Sequence, residues 1–396
     1  MLAGSAADLA SLMRGEIDKR NEAAAAFFQL QAPLIAKAAR GMAERFLRGG
    51  RLLIFGSGAY ATDAQHVSVE FVHPVLVGKR ALPALDLSIA PTDWIRAIAG
   101  SDDMVLGFGP PDADVSNEPA LAHAREVGAM TIALPGTQGD YAPPSPHADA
   151  HIHQELFETL THALYESVHV FLEHRDFGEP QSASDFLYPF LGTQSESLDT
   201  VQNEATESVL SKAADAAALR ERVKNEALPS LEEAILAMRR RIDAGATMFF
   251  FGNGGSATDA NDWALDCVLG DGAPRSLRAI SLSLEPACIT AIANDVGVEV
   301  IFLRQLIAQA KSRDIAVALS TSGGSKNVIA ALVDARKRGM LTVALLGYDG
   351  GQILREGLAD HTIVVRSDYI PRIQEVQATI YHLIRRGLDV VDAHAA

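Results

Sequence analysis

Short apolar runs along this chain repeatedly break into a glycine-rich turn, and helical spacing begins as soon as the turn ends. Arg51–Phe55 (RLLIF) runs into Gly56-Ser57-Gly58-Ala59-Tyr60, and Met248–Phe251 runs into Gly252-Asn253-Gly254-Gly255-Ser256. Ile315–Leu319 runs into Ser320-Thr321-Ser322-Gly323-Gly324-Ser325-Lys326-Asn327, after which VIAALVDARKRG carries helical periodicity. Runs of this kind, bounded by turn residues, predict strands buried on both faces with crossover helices between them. Met104–Phe108 and Met130–Leu134 predict two more strands, and residues 5–48 read as two helices. The fold class is α/β, with open parallel sheets flanked by helices on both faces.

The pattern occurs twice. Gly56 and Gly252 stand at an offset of 252 − 56 = 196, and Thr-Asp-Ala follows at 62–64 and again at 258–260. AREVGA in the first half parallels ARKRGM in the second, and QELFETLTHALYESVHVFLEH closes one half as QEVQATIYHLIRRGLDVVDAH closes the other. This predicts a tandem repeat. Gly, Pro, Ser and Gln accumulate between Asp176 and Ser197, so the expected boundaries are a first domain over 1–178, a linker over 179–197 and a second domain over 198–396. Phe186, Tyr188 and Phe190 suggest a linker packed on a domain surface.

Composition narrows the function. A chain of 396 residues suits two cores better than one, and 48% hydrophobic residues describes a globular protein. No apolar run approaches the roughly 20 residues of a membrane span, and the N-terminus, acidic and amphipathic, is unlike a signal peptide. A cytoplasmic location is expected. The net charge of −16 opposes binding to nucleic acid or acidic membrane, so a phosphorylated ligand must be met locally by turns and helix ends. Two cysteines, Cys267 and Cys288, have neither disulfide-framework nor metal spacing and are expected to be small core residues.

Glycine-rich turns delivering a helix N-terminus hold anions, because backbone N–H groups converge and the helix dipole favours negative charge. Two hydroxyl-bearing turns at carboxyl ends of parallel strands converge on one crevice. FGNGGSATDA, AIANDVGVEVIFLRQL, ALSTSGGSKNVIAAL with ARKRGM, and RIQEVQATIYHLI resemble the sugar isomerase (SIS) family, and within it the phosphoheptose isomerases, over nearly all of 244–386. The resemblance implies isomerisation of a small phosphorylated sugar, most like sedoheptulose 7-phosphate. The phosphate-binding set would be Asn253, Gly254, Gly255, Ser256, Ser320, Thr321, Ser322 and Ser325. It also implies a homo-oligomer, here a dimer of tandem chains resembling a tetramer, and a divalent metal, zinc first among candidates.

The halves diverge in opposite directions. The first has GSGAY and Gly109-Pro110-Pro111-Asp112-Ala113-Asp114-Val115-Ser116 in place of the two turns, and prolines remove donors while aspartates repel phosphate. It lacks a counterpart to NDVGVEVIFLRQLIAQA, yet it keeps His66, Glu70, Gln154 and His162, which match the family's metal and acid–base set. The second half keeps the turns but has Asp262, Asp266, Gln374 and His382 at those positions. Moving a carbonyl between C1 and C2 needs a base for a carbon-bound proton and a group to polarise or protonate the oxygens. Glu70 with His162, or Asp266 with His382, would carry this, and Asp262, Asp266, Gln374 and His382 form a possible second metal set. Gln154 and His162 lie eight residues apart, roughly 12 Å along one helix, so sites drawing on different helix copies at interfaces are expected. A composite of second-half turns and first-half acid–base groups is one arrangement. A non-catalytic sugar-phosphate-binding regulator or scaffold is the alternative function.

Overall fold

The computed structural model describes residues 6–74, 78–176, 198–269 and 276–391. The linker aromatics Phe186, Tyr188 and Phe190 lie outside the described residues. The chain divides into two compact units: Ala23–Ala214, called here the first-half unit, and Met1–Glu22 with Asp215–Ala396, the second-half unit. Helical ends are therefore exchanged relative to the boundaries read from the sequence. The reason is packing: Leu9, Met13 and Ile17 join the core that contains Ile235 and Leu388, while Val201, Ala205 and Val209 join that of Phe28 and Phe157.

In chain order the first half comprises α1 (Ala6–Leu47), β1 (Leu52–Gly56), α2 (Ala61–Val72), β2 (Ala84–Asp86), α3 (Pro91–Ile98), β3 (Met104–Phe108), α4 (Pro119–Glu126), β4 (Met130–Leu134) and α5 (Ala150–Asp176). The two helices expected over 5–48 are one, α1, because Ala23–Ala26 bridges the amphipathic stretches and Pro33 is accommodated within the helix. The sheet is wholly parallel, ordered β2-β1-β3-β4. Leu52, Ile54, Met104 and Leu106 face one apolar cluster and Leu53, Phe55 and Val105 the other. Alternate residues thus bury both faces, as the uninterrupted apolar runs require.

The second half continues with α6 (Leu198–Glu226), α7 (Leu228–Asp243), β5 (Met248–Phe251), α8 (Gly255–Leu269), β6 (Ala279–Ser281), α9 (Pro286–Asp295), α10 (Ile301–Gln309), β7 (Ile315–Ser320), α11 (Lys326–Lys337), β8 (Leu341–Gly347), α12 (Gly351–Arg355), β9 (His361–Val365) and α13 (Ile370–Val390). Its parallel sheet runs β6-β5-β7-β8-β9, the same order with one strand added. Met248, Phe250, Ile315 and Val317 lie in one cluster, Phe249, Phe251, Ala316 and Ala318 in the other. α9 and α10 have no first-half equivalent beyond α3. Cys267 is buried as expected, but Cys288, near the start of α9, is only partly buried. No described helix is long and apolar enough to cross a membrane.

Because β5 and β7 are neighbours, the turns that leave their carboxyl ends lie side by side, and β1 and β3 stand in the same relation in the first-half unit. Each unit therefore presents one crevice at the carboxyl edge of its sheet.

Candidate active site and metal centre

β1 ends in Gly56 and β5 is followed at once by Gly252, and no other residue could replace either glycine without distortion. A Cβ at Gly252 would collide with the Ser256 carbonyl oxygen, and one at Gly56 with that of Tyr60. Gly254 and Gly58 take φ of +58° and +61° two residues later, the left-handed region that glycine enters freely. Gly252 N donates to Ser283 Oγ at 3.4 Å and Gly56 N to Ser88 Oγ at 3.1 Å, so the two bends share their support as well as their shape.

In the second-half unit the two turns are tied together. Asn253 Nδ2 donates to Asn327 Oδ1 and Asn327 Nδ2 donates to Asn253 Oδ1, both at 2.9 Å. Asn327 Oδ1 also accepts from Val328 N at 2.9 Å in the first turn of α11. Ser320 Oγ accepts from Gly323 N at 3.1 Å and lies 3.5 Å from Ser325 Oγ; Ser322 Oγ accepts from Gly324 N at 3.3 Å. Gly323, at φ +58°, abuts Gly350 so closely that a side chain would not fit, and its carbonyl accepts from Ile353 N at 3.0 Å. Ser256 and Ser320 are buried, whereas Ser322, Asn253 and Gly254 are exposed to an incoming ligand, and Gly255, Thr321 and Ser325 are half-buried. Ser325 precedes α11 without a side-chain cap bond of its own, which leaves the α11 N-terminus open to an external anion.

The first-half crevice is closed by its own side chains. Asp114 Oδ1 accepts from Ser116 N at 3.2 Å and Thr137 N at 3.1 Å, and Oδ2 from Thr137 Oγ1 at 2.6 Å and Asn117 Nδ2 at 3.0 Å. The Ser116 and Thr137 donors hold this carboxyl below the usual aspartate range. Tyr60 is buried edge-on against His153, ring centroids 5.7 Å apart, and His153 Nε2 donates to the Gly109 carbonyl at 3.0 Å. Burial pushes His153 down to about 4, so it is neutral there at physiological pH.

The acid–base candidates lie deeper. On α2, His66 and Glu70 are one turn apart, and both face His162 on α5. His66 Nε2 lies 3.2 Å from His162 Nε2, Glu70 Oε1 lies 3.0 Å from His162 Nε2 and 3.6 Å from His66 Nε2, and all three residues are buried. Burial alone would raise the Glu70 carboxyl, but His162 and His66 together hold it far below the ordinary range. Three donor atoms around a zinc ion at about 2.0–2.1 Å would sit about 3.3 Å apart in tetrahedral geometry. The observed separations bracket that spacing, so the donor set fits a divalent ion. Gln154, two turns before His162 on α5, is buried with its Nε2 donating to Asp63 Oδ2 at 3.1 Å. Glu158, which the sequence reading passed over, lies between them on α5 and brings a carboxylate oxygen within 4.8 Å of ring nitrogens of His66 and His162.

In the second-half unit α8 carries Asp262 and Asp266 against His382 of α13. His382 Nε2 is 3.2 Å from Asp266 Oδ2 and 3.8 Å from Asp262 Oδ2, and Tyr381 Oη donates to Asp262 Oδ2 at 2.7 Å. Burial, reinforced by the Asp262 carboxylate and opposed by His382 and Arg385, pushes Asp266 up to about 6. Gln374 is buried on the same helix one face-repeat before His382, and its Oε1 has no hydrogen-bond partner among the described residues.

A parallel sheet with a glycine-rich turn at the head of α8 and buried carboxylates further along that helix is the arrangement of a sugar isomerase (SIS) domain, and the SIS domain family matches residues 213–347. Phosphoheptose isomerase of Leptospira biflexa is 41% identical over 170 residues, 41% of this chain and 86% of that protein. Its counterpart in Sulfurimonas denitrificans is 46% identical over 134 residues, 34% of this chain and 68% of that protein. The chain belongs to the phosphoheptose isomerase family. It shares a fold with the C-terminal domain of glucosamine-fructose-6-phosphate aminotransferase from Francisella tularensis, at TM-score 0.56 and 12% identity, covering 96% of this chain and 95% of that one.

Proposed function

We propose that this protein is an aldose–ketose isomerase of a phosphorylated sugar, most like the interconversion of sedoheptulose 7-phosphate and a heptose 7-phosphate, and that its second-half unit both grips the phosphate and moves the proton. The observation that carries this reading is the reciprocal Asn253–Asn327 pair, which fuses two serine-bearing turns into one anion seat at the head of α8. Helical rise sets Asp262 about 9 Å and Asp266 about 15 Å beyond Ser256 along the axis, and helical side chains lean back toward the N-terminus. An extended sugar held by its phosphate thus brings its carbonyl end to these carboxylates.

Asp266, poised near neutrality, is the base for the carbon-bound proton, and His382 beside it takes or returns the proton of the enediol oxygens. Asp262, fixed by Tyr381, keeps the Asp266 proton affinity high enough for that exchange. In the first-half unit His66, Glu70 and His162 hold a divalent ion, zinc by the chemistry of two imidazoles and a carboxylate. When bound, such an ion supplies charge stabilisation to an oxygen. The two halves are a duplicated unit, and the chain acts in the cytoplasm as a homo-oligomer on a small sugar phosphate, away from nucleic acid and membrane.

The test is direct assay of the purified full chain for consumption of sedoheptulose 7-phosphate, with and without chelator. Turnover is expected. Binding of the sugar phosphate without turnover would favour the regulatory or scaffolding role, which the replacement of a histidine and a glutamate by Asp262 and Asp266 supports.

A further inference from the structure

We infer that the amino edge of the second-half sheet is a cationic docking surface for a second copy of this chain, which it meets through the acidic carboxyl rim of that copy's first-half sheet. At the amino edge the connections leading into β5, β7 and β8 run side by side, because those strands are neighbours. Arg241, in the last turn of α7, ties them together: Nη1 donates to the Ser312 carbonyl at 3.1 Å and Nη2 to the Gly339 carbonyl at 3.2 Å. Around it stand Arg240, Lys311, Arg313 and Lys337, all exposed and forming no ion pair among the described residues. Neighbouring charges are matched. Arg239 pairs with Asp243, Arg338 with Asp334 and Arg336 with Asp360, while Asp314 is buried beneath the patch and accepts from Thr247 N at 2.9 Å and Lys311 N at 2.7 Å. Four cations are left facing solvent in a chain of net charge −16.

The fold does not impose this excess. Strand registers equate the two sheets at offsets of 248 − 52 = 196 for β1 and β5, 315 − 104 = 211 for β3 and β7, and 341 − 130 = 211 for β4 and β8. At the positions of Arg240, Arg313 and Lys337 the first half therefore has Glu44, Asp102 and Glu126, and there Arg40 pairs with Glu44 and Arg48 with Asp102. The carboxyl rims differ in the opposite sense. Around the first-half turns lie exposed Asp86, Asp93, Asp112 and Glu118 with half-buried Asp114, opposed by Arg96. With β2 and β6 equated at 279 − 84 = 195, the second half has Ser281, Cys288, Gly323, Ile329 and Ser325 at those five acidic positions. Each surface crosses three adjacent strands, β5-β7-β8 and β2-β1-β3, about 10 Å from first to third. Width and charge are matched. Complementary charge steers association and fixes register, while exposed ion pairs contribute little singly, so the contact is weak and salt-dependent. Two different faces meet, so it is heterologous and propagates head to tail. The second-half crevice, at the other end of its strands, stays open.

Sedimentation velocity of the full chain over a range of protein concentrations, in about 0.02 M and about 0.5 M salt, tests the contact by size alone and so independently of any isomerase activity. At high salt the chain should keep one base size, and at low salt its weight-average mass should climb with concentration to at least about twice that size. Arg313→Glu with Lys337→Glu should abolish the climb, as should Asp112→Lys with Glu118→Lys, while thermal midpoint and high-salt size stay as in wild type. Neither pair belongs to the proposed isomerase machinery. Mixing the two variants should restore association, since each now offers the charge the other lacks, and misfolded protein would not be rescued in this way. A wild type whose size ignores salt, reversed-charge variants that still assemble alone, or a mixture that stays at base size would overturn the inference. So would salt-sensitive retention on immobilised DNA, without self-association, by wild type and not by the Arg313→Glu, Lys337→Glu protein; the surface would then belong to nucleic acid.

Discussion

In the second-half unit the turns after β5 and β7 are joined by the Asn253–Asn327 amide pair, and the N-terminus of α11 carries no side-chain cap. In the first-half unit the turn after β3 is filled from within: the Asp114 carboxylate takes the Ser116, Asn117 and Thr137 donors, and Tyr60 and His153 bridge from the β1 turn to Gly109. The glycines behind β1 and β5 adopt the same conformations. What separates the open turns from the closed one is thus whether the chain supplies its own anion. The deeper clusters show the converse exchange. His66, Glu70 and His162 form a spacing suited to a cation, while Asp262, Asp266 and His382, at the same positions, form a proton-sharing set in which burial and a second carboxylate raise Asp266.

The largest effect should come from Asp266→Asn. If the second-half set performs the proton transfer, kcat should fall by between about a hundredfold and ten-thousandfold, and the wild-type rate should rise with pH through about 6 as Asp266 ionises. Stability should move the other way. A carboxyl whose folded value lies above its ordinary 3.8 contributes stability below about pH 4 and loses it as pH climbs through 6. Asp266→Asn should therefore match wild type in thermal unfolding at pH 4 and exceed it above pH 6, by up to about 3 kcal/mol for a shift of about two units. A variant that is inactive yet no more stable at pH 8 would mean that Asp266 is not strained by its site. One that keeps full turnover would move the chemistry to the other half.

Next in size is the proposed phosphate seat. Asn253→Ala removes one side of the pair that unites the turns, so KM for the sugar phosphate should rise about tenfold, equivalent to about 1.4 kcal/mol, with a smaller change in kcat. Steady-state kinetics separates the two. An unchanged KM would mean that phosphate is bound elsewhere, and the equivalence of the halves would then be one of fold alone.

Five fully buried strands were legible, since burial of both faces makes Leu52–Gly56, Met104–Phe108, Met130–Leu134, Met248–Phe251 and Ile315–Ser320 unbroken runs of mostly apolar residues, but Leu341–Gly347, equally buried, was passed over. Of the edge strands, Ala84–Asp86, Ala279–Ser281 and His361–Val365 are partly exposed and left no such trace. Amphipathic spacing announced that the first helix buries a face, but not that Leu9, Met13 and Ile17 enter one core and Phe28 and Ile35 another, because periodicity carries no information about the partner surface. The site was legible where glycines and histidines stand out against their surroundings. Glu158 was missed because a glutamate on a helix is ordinarily a solvated residue; its four-residue spacing from His162 was the available signal. Asn327 belonged to a recognised turn, but its partner Asn253 is 74 positions away and only folding brings them together.

The smallest expected effect tests the closed turn. Asp114 caps a single helical turn, Val115–Asn117, and receives donors from both that turn and the Thr137 segment. Asp114→Ala should cost about 1 kcal/mol, the scale of a lost capping interaction, and the side chain is exposed enough that solvent screening keeps the cost small. Its folded value lies below the ordinary aspartate range, so the stabilisation is present above that range and lost as pH falls below it. Wild type and Asp114→Ala should accordingly converge in unfolding midpoint under acid conditions and separate at neutrality. The variant should gain no phosphate affinity, since Tyr60 and His153 still fill the space between the turns. Phosphate binding that appears in Asp114→Ala carried on an Asn253→Ala background would show that one carboxylate alone had kept the first-half crevice shut.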